Sequence, residues 1–133
     1  MGTSTTRQTS LETGSLDGVH WLGILAALVT AAIHLLLGAR PLLTGSASGL
    51  AVSFVLAGLG FLGAVVLVLV TYRRRTIYAV GIPYTLAQLG LWYYLNFAAG
   101  AKSFPADVGT VGWIDKVAQV LLIVVLIALL RQD

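Results

Sequence analysis

Four long apolar blocks alternate with short polar breaks along this chain. A helix that crosses a hydrocarbon layer needs about 20 mostly apolar residues, because each adds only ~1.5 Å of length. The blocks predict four membrane-spanning helices, at residues 19–39, 49–72, 76–99 and 111–130. Gly38, Arg40 and Pro41 mark the expected end of the first, since glycine ends helices and proline cannot continue one. The second halts at Arg73, Arg74 and Arg75, and the fourth at Arg131. The unbroken apolar part of the fourth, 117–130, is short at about 21 Å. Trp113 and Lys116 are therefore expected to anchor and snorkel at its start. The tight 2–3 break makes those two helices an antiparallel hairpin. The expected fold is all-α: a polytopic, four-transmembrane-helix up-down bundle over residues 19–131. Residues 1–18, rich in Ser, Thr and Gly and without an apolar block, are expected to form a disordered tail.

Composition sharpens this picture by exclusion. Of the 133 residues, 58% are hydrophobic and only 10% charged, and the mean hydropathy is +0.93. So few charges cannot cover a water-facing surface, which argues against a soluble enzyme, a nucleic-acid binder and a disordered regulator. There is no cysteine, which removes disulfides, thiol catalysis and Cys-ligated metal centres. The start of the chain has no basic segment followed by an apolar run, so it does not read as a signal peptide. Met1-Gly2 with Thr6 formally fits an N-myristoylation pattern, but a plain Ser/Thr tail is the simpler reading. Four spans place Arg7, Arg73, Arg74, Arg75 and Arg131 on one side, against Arg40, Lys102 and Lys116 on the other. The positive-inside rule then predicts a multi-pass protein of the cell membrane with both termini cytoplasmic.

By this placement no charged residue falls near the middle of any span, so the chain lacks the intramembrane carboxylate of ion-coupled transporters. Two histidines and some amides, hydroxyls and aromatics remain. His20 and His34 lie 14 positions apart on the first helix, within about 40° of one face and about 21 Å along it. Gly23, Ala27 and Ala31 lie between them, and Gly60 and Ala64 form a second small pair on the second helix. Small residues at this spacing let another helix, or a flat ligand, approach closely. The spacing matches two axial histidines of a b-type haem protein, although a bis-His site would need a dimer, since the chain has only these two. The plainer reading makes His20 interfacial, beside Trp21, and His34 a buried hydrogen-bonding group. Gln88, Trp92, Ser53 and Gln119 fall near the height of His34, with Asn96 above them and Tyr84 along the same side of the third helix. They form either an interhelical hydrogen-bond network or a small pocket open to the outside. Pro83 should kink the third helix beside Gly81. Tyr93, Tyr94 and Phe97 read as an outer aromatic belt.

Several blocks carry a resemblance: Leu16-Asp17-Gly18-Val19-His20-Trp21, Ala31-Ala32-Ile33-His34-Leu35, Gly81-Ile82-Pro83-Tyr84-Thr85, Leu91-Trp92-Tyr93 and Ile114-Asp115-Lys116-Val117-Ala118-Gln119. Together they resemble a family of small four-span membrane proteins of salt-loving archaea, a domain of unknown function. That resemblance implies the bundle and the plasma membrane, and no activity. From the residues, the first functional expectation is a membrane protein without catalytic machinery, metal or cofactor. It would act as an accessory or structural subunit in contact with the lipid bilayer, in a homo-oligomer or a larger membrane complex, with no nucleic-acid partner. The alternative is a haem b protein using His20 and His34. A facilitator for a small solute has least support, because one four-helix bundle is thin for a pore.

Overall fold

A computed structural model describes residues 14–46 and 48–132. The tail expected over 1–18 lies largely outside the described residues. The chain forms four long helices in sequence order: α1 (Gly18–Leu43), α2 (Gly49–Leu69), α3 (Arg74–Tyr93) and α4 (Thr110–Gln132). A short π-helical turn, Tyr94–Ala98, extends α3. Each helix packs on two neighbours, α1 on α2 and α4, and α3 on α2 and α4. The four therefore close a ring around one core.

The ends of the helices fix their directions. Arg74 Nη1 donates to Ser15 Oγ at 2.7 Å and Arg74 Nε to the carbonyl of Val68 at 2.8 Å. Arg75 Nη1 donates to the carbonyl of Leu130 at 3.0 Å. The start of α1, the α2–α3 turn and the end of α4 thus meet at one end, so the helices alternate up and down. At the opposite end Phe104, from the α3–α4 loop, stacks on Tyr93, Phe97 and Trp113.

Two expectations are corrected. The first concerns α1, which does not stop at Gly38 but runs through Arg40 and Pro41 to Leu43. Its end is a C-terminal motif in which Ser46 N–H bonds the carbonyl of Pro41 at 2.7 Å, and Gly45 takes the left-handed conformation at φ +83°. Gly38 serves a crossing instead: a Cβ there would lie 2.6 Å from the Ala51 carbonyl oxygen and 2.8 Å from the Val55 nitrogen of α2. The second concerns span number. Three helices, α1, α2 and α4, are long and apolar enough to cross a membrane, not four. The inward stripe of α3 carries Tyr78, Tyr84, Thr85, Gln88 and Trp92, which lowers its hydropathy. The helix is continuous through Pro83.

Of the small residues, Gly23, Ala27 and Ala31 face the core, whereas Gly60 is exposed and Ala64 half-buried, and both line a cavity. A Cβ on Gly23 would lie 2.8 Å from Val125 Cγ1 of α4, and Ala27 and Ala31 are buried in the core. A Cβ on Gly60 would collide with the hydroxyl of Tyr84 on α3.

Candidate functional site

The core between α1 and α4 is polar at the level of His34. The stripe of α1 that faces inward reads Gly23, Ala27, Thr30, Ala31, His34. The facing stripe of α4 reads Asp115, Lys116, Gln119, Leu122. Helical spacing of three and four brings each set onto one face, and the α1–α4 contact then buries both. Thr30, His34, Asp115, Lys116 and Gln119 are all buried.

Their hydrogen bonds form one connected chain. Thr30 donates its hydroxyl to Asp115 Oδ1 at 2.5 Å. Lys116 Nζ lies 2.8 Å from Asp115 Oδ2. The same ammonium donates to Gln119 Oε1 at 3.0 Å and sits 4.9 Å from the Trp92 ring centroid. Gln119 Nε2 donates to Gln88 Oε1 on α3 at 3.2 Å. His34 Nδ1 lies 2.8 Å from the carbonyl of Thr30, one turn earlier. A carbonyl only accepts, so this ring nitrogen carries a hydrogen. The same nitrogen lies 3.6 Å from Asp115 Oδ1. Phe54 and Phe61 of α2 flank the His34 ring, at centroid distances of 5.7 and 6.0 Å. Every helix therefore contributes to the site: a hydroxyl and an imidazole from α1, two phenyl rings from α2, an amide and an indole from α3, and an ion pair and an amide from α4. Asp115 and Lys116 neutralise each other.

The residues singled out from sequence divide into three groups. His34, Gln88, Trp92 and Gln119 are brought together. Asn96 stands one turn above, its Nδ2 donating to the Trp92 carbonyl at 2.9 Å. Ser53 and His20 lie elsewhere, and Tyr84 stands at the edge of the cluster, beside Gln88 and 5.2 Å from the Phe61 ring centroid. Ser53 is exposed and bonds the carbonyl of Gly49 at 2.8 Å within its own helix. Tyr84 donates to the carbonyl of Ala57 at 2.9 Å. His20 is at the terminal end, with Nδ1 2.7 Å from Asp17 Oδ1. That bond, with a second from the His20 backbone N–H, holds the Asp17 carboxyl below the usual carboxylate range. Three members of the cluster were not foreseen: Thr30, Asp115 and Lys116. Lys116 does not snorkel, because a carboxylate and an amide satisfy it inside the bundle. The signal was the spacing of Asp115, Gln119 and Leu122, which puts the carboxylate on the stripe that carries the core leucine. Among the described residues no group of three or more His, Cys, Asp or Glu is placed to hold a metal ion.

This arrangement of blocks belongs to a known set of sequences. A family of unknown function, DUF7475, has a sequence model that matches residues 5–130. The chain belongs to that family. No curated protein and no solved structure matches the chain. The match spans nearly all of this DUF7475 protein, so the polar cluster and the arginine turn both fall inside it.

A separate cavity of about 70 Å³ lies below the cluster, toward the terminal end. All four helices line it, and the lining is almost wholly apolar. Two of its hydroxyls are engaged by backbone carbonyls, Tyr84 on Ala57 and Thr85 on Gly81.

Proposed function

We propose that this DUF7475 protein is a non-catalytic integral membrane bundle. It works as an accessory or structural subunit in the cell membrane of a salt-loving archaeon, with both termini cytoplasmic. Three apolar helices support membrane residence. The fourth is read as crossing with them, because it starts beside Ser15 and its π-helical extension stacks against Phe104 at the other end. Six arginines against two lysines fit the proposed origin. The observation that carries the non-catalytic reading is the way the buried Asp115–Lys116 pair is satisfied within the bundle. The Asp115 carboxylate takes a hydroxyl and an ammonium, and that ammonium takes an amide and an indole face. Groups committed in this way hold helices together.

The haem alternative fits the geometry less well. Of the two histidines, His20 alone lines the cavity, with His34 outside it, and the His34 ring is packed against two phenyl rings. A solute facilitator would need a polar path, and the cavity is apolar.

One preparation separates these readings. The protein is purified in mild detergent from native membranes, its absorption spectrum is taken oxidised and reduced, and its complex is sized. The expected result is a colourless preparation migrating with a stoichiometric partner or as a defined oligomer. A Soret band would replace this reading with the haem protein. A colourless lone monomer would remove the subunit role.

A further inference from the structure

The cavity has a shape and an exit that the polar cluster does not explain. It runs from the first turn of α1, at His20, up to Ala27. Seven residues of helix correspond to about 10 Å. The lining residues follow that length on all four helices and are almost wholly apolar, so the cavity is an elongated slot. A linear hydrocarbon chain fits such a space better than a compact solute.

The exit is visible in which lining residues remain accessible. Those contributed by α4 (Leu122, Leu126, Leu129) are buried, and so are Gly23, Ile24 and Ala27 of α1. Gly60 is exposed, while Ala64, Ile77, Gly81 and Tyr84 are half-buried, and these five belong to α2 and α3. Apart from half-buried His20 at the terminal end, the cavity thus reaches the surface along the α2–α3 seam. That seam is also the sparsest helix contact in the ring. Gly81 keeps the wall low, since a Cβ there would lie 2.9 Å from Leu126 Cδ1. At Gly60 the Tyr84 hydroxyl crosses the seam to the Ala57 carbonyl, so the opening lies below it, at Ala64, Ile77 and Gly81.

The same seam ends on the arginine turn. Val68, Ile77 and Tyr78 line the terminal end of the cavity, and Arg74 is bonded to the Val68 carbonyl. Arg73 is exposed, its guanidinium 5.5 Å from the Tyr72 ring centroid. Arg131 is exposed at the same end. Among the described residues the acid at this end is Asp17, tied to His20. Positive charge therefore exceeds negative charge beside the mouth of an apolar slot.

We propose that the α2–α3 seam is a binding site for an anionic phospholipid, with one hydrocarbon chain in the cavity and the phosphate headgroup on the Arg73–Arg75 turn. Charge selects the headgroup, and chain burial in the slot supplies the remaining affinity. The site rests only on the bundle lying in a bilayer, not on the subunit role, so failure of either leaves the other standing.

The test is native mass spectrometry of the full chain in detergent micelles, titrated with phosphatidylglycerol or phosphatidylcholine of equal chain length. The expected result is one retained lipid, phosphatidylglycerol, preferred by at least about fivefold, the effect of one basic residue near a charged surface. Arg73→Gln should lower that preference by about the same factor. Ala64→Leu, which fills the slot, should weaken retention of both lipids. Gly63→Leu, at an exposed position with no atom within 4 Å of its Cβ, should weaken neither. Should Ala64→Leu not fold, the wild-type protein is compared on six-carbon and eighteen-carbon phosphatidylglycerols, and the short chains must bind more weakly. Equal retention of the two headgroups would overturn the proposal. So would full displacement by inorganic phosphate, which would mark a plain anion site, or retention by folded Ala64→Leu equal to wild type.

Discussion

Asp115 is a carboxylate withdrawn from water, and its environment decides what its loss would do. Thr30 and Lys116 each occupy one of its oxygens. Removing one member of a buried ion pair leaves the other charge unpaired, which destabilises by about 3–5 kcal/mol, whereas removing both is often close to neutral. Lys116→Met and Asp115→Leu should therefore each lower stability strongly in SDS-titration unfolding from mixed micelles. The double variant should recover most of the loss, with a coupling of about 2 kcal/mol or more. Additive losses would show that the pair is not a unit. At the other end of α1, Asp17 caps the helix, its carboxylate accepting from the backbone and ring of His20. Its pKa is lowered by that side-chain bond first. A depressed acid stabilises above its unfolded pKa and loses the contribution as pH falls through the folded value. Asp17→Asn should thus melt below wild type at pH 7, and the gap should close on acidification below about pH 4. His34 and Gln119 were legible in the sequence as buried polar groups at one height. Asp115 and Lys116 were not, because depth counted from the helix end places them at the interface. The Gln119 amide and the Trp92 face make an interior position tolerable, and no property of α4 alone reports them.

Helix ends show the same dependence on neighbours. Both α1 and α2 close with the C-terminal motif in which the chain turns through a left-handed residue. At α1 that residue is Gly45. At α2 it is Thr71, at φ 58°, with Tyr72 N–H on the Leu67 carbonyl at 2.8 Å and Thr71 N–H on Val68 at 3.1 Å. Glycine holds this conformation without strain, whereas a β-branched residue is disfavoured there by about 1–2 kcal/mol. Thr71→Gly should therefore raise the melting temperature by a few degrees in differential scanning fluorimetry. A fall would mean that the threonine side chain contributes more than its backbone loses. The arginine triplet lies at the α2–α3 turn, but α2 ends at Leu69, three residues before the expected end, and Arg74 and Arg75 already belong to α3. The end of α1 was misread because Gly38 resembles a terminator, while its role is to let α1 and α2 cross with backbone atoms in near contact. A sequence does not distinguish a glycine that ends a helix from one that lets two helices touch.

At the scale of the whole molecule the open question is α3. By composition it is not apolar enough to enter a bilayer alone, yet its two ends sit at opposite ends of the bundle. Its outer positions are apolar: Val80, Leu86 and Leu91 are exposed, and its polar groups face α2 and α4. Insertion of α3 is then a property of the assembled ring, with Gln119 and the Ala57 carbonyl receiving groups that lipid would reject. The chain contains no cysteine, so single introduced cysteines report sidedness cleanly. In intact cells, an impermeant maleimide should label Thr44→Cys and Lys102→Cys, and should label Tyr72→Cys and Arg131→Cys only after lysis. If α3 lay on the surface instead, positions 72 and 102 would share a side and label together. If the reagent reached 72 and 131 but neither 44 nor 102, the bundle would cross with its arginine turn outside, against the charge rule. That inverted crossing would also move the arginine turn away from the leaflet that supplies anionic lipid.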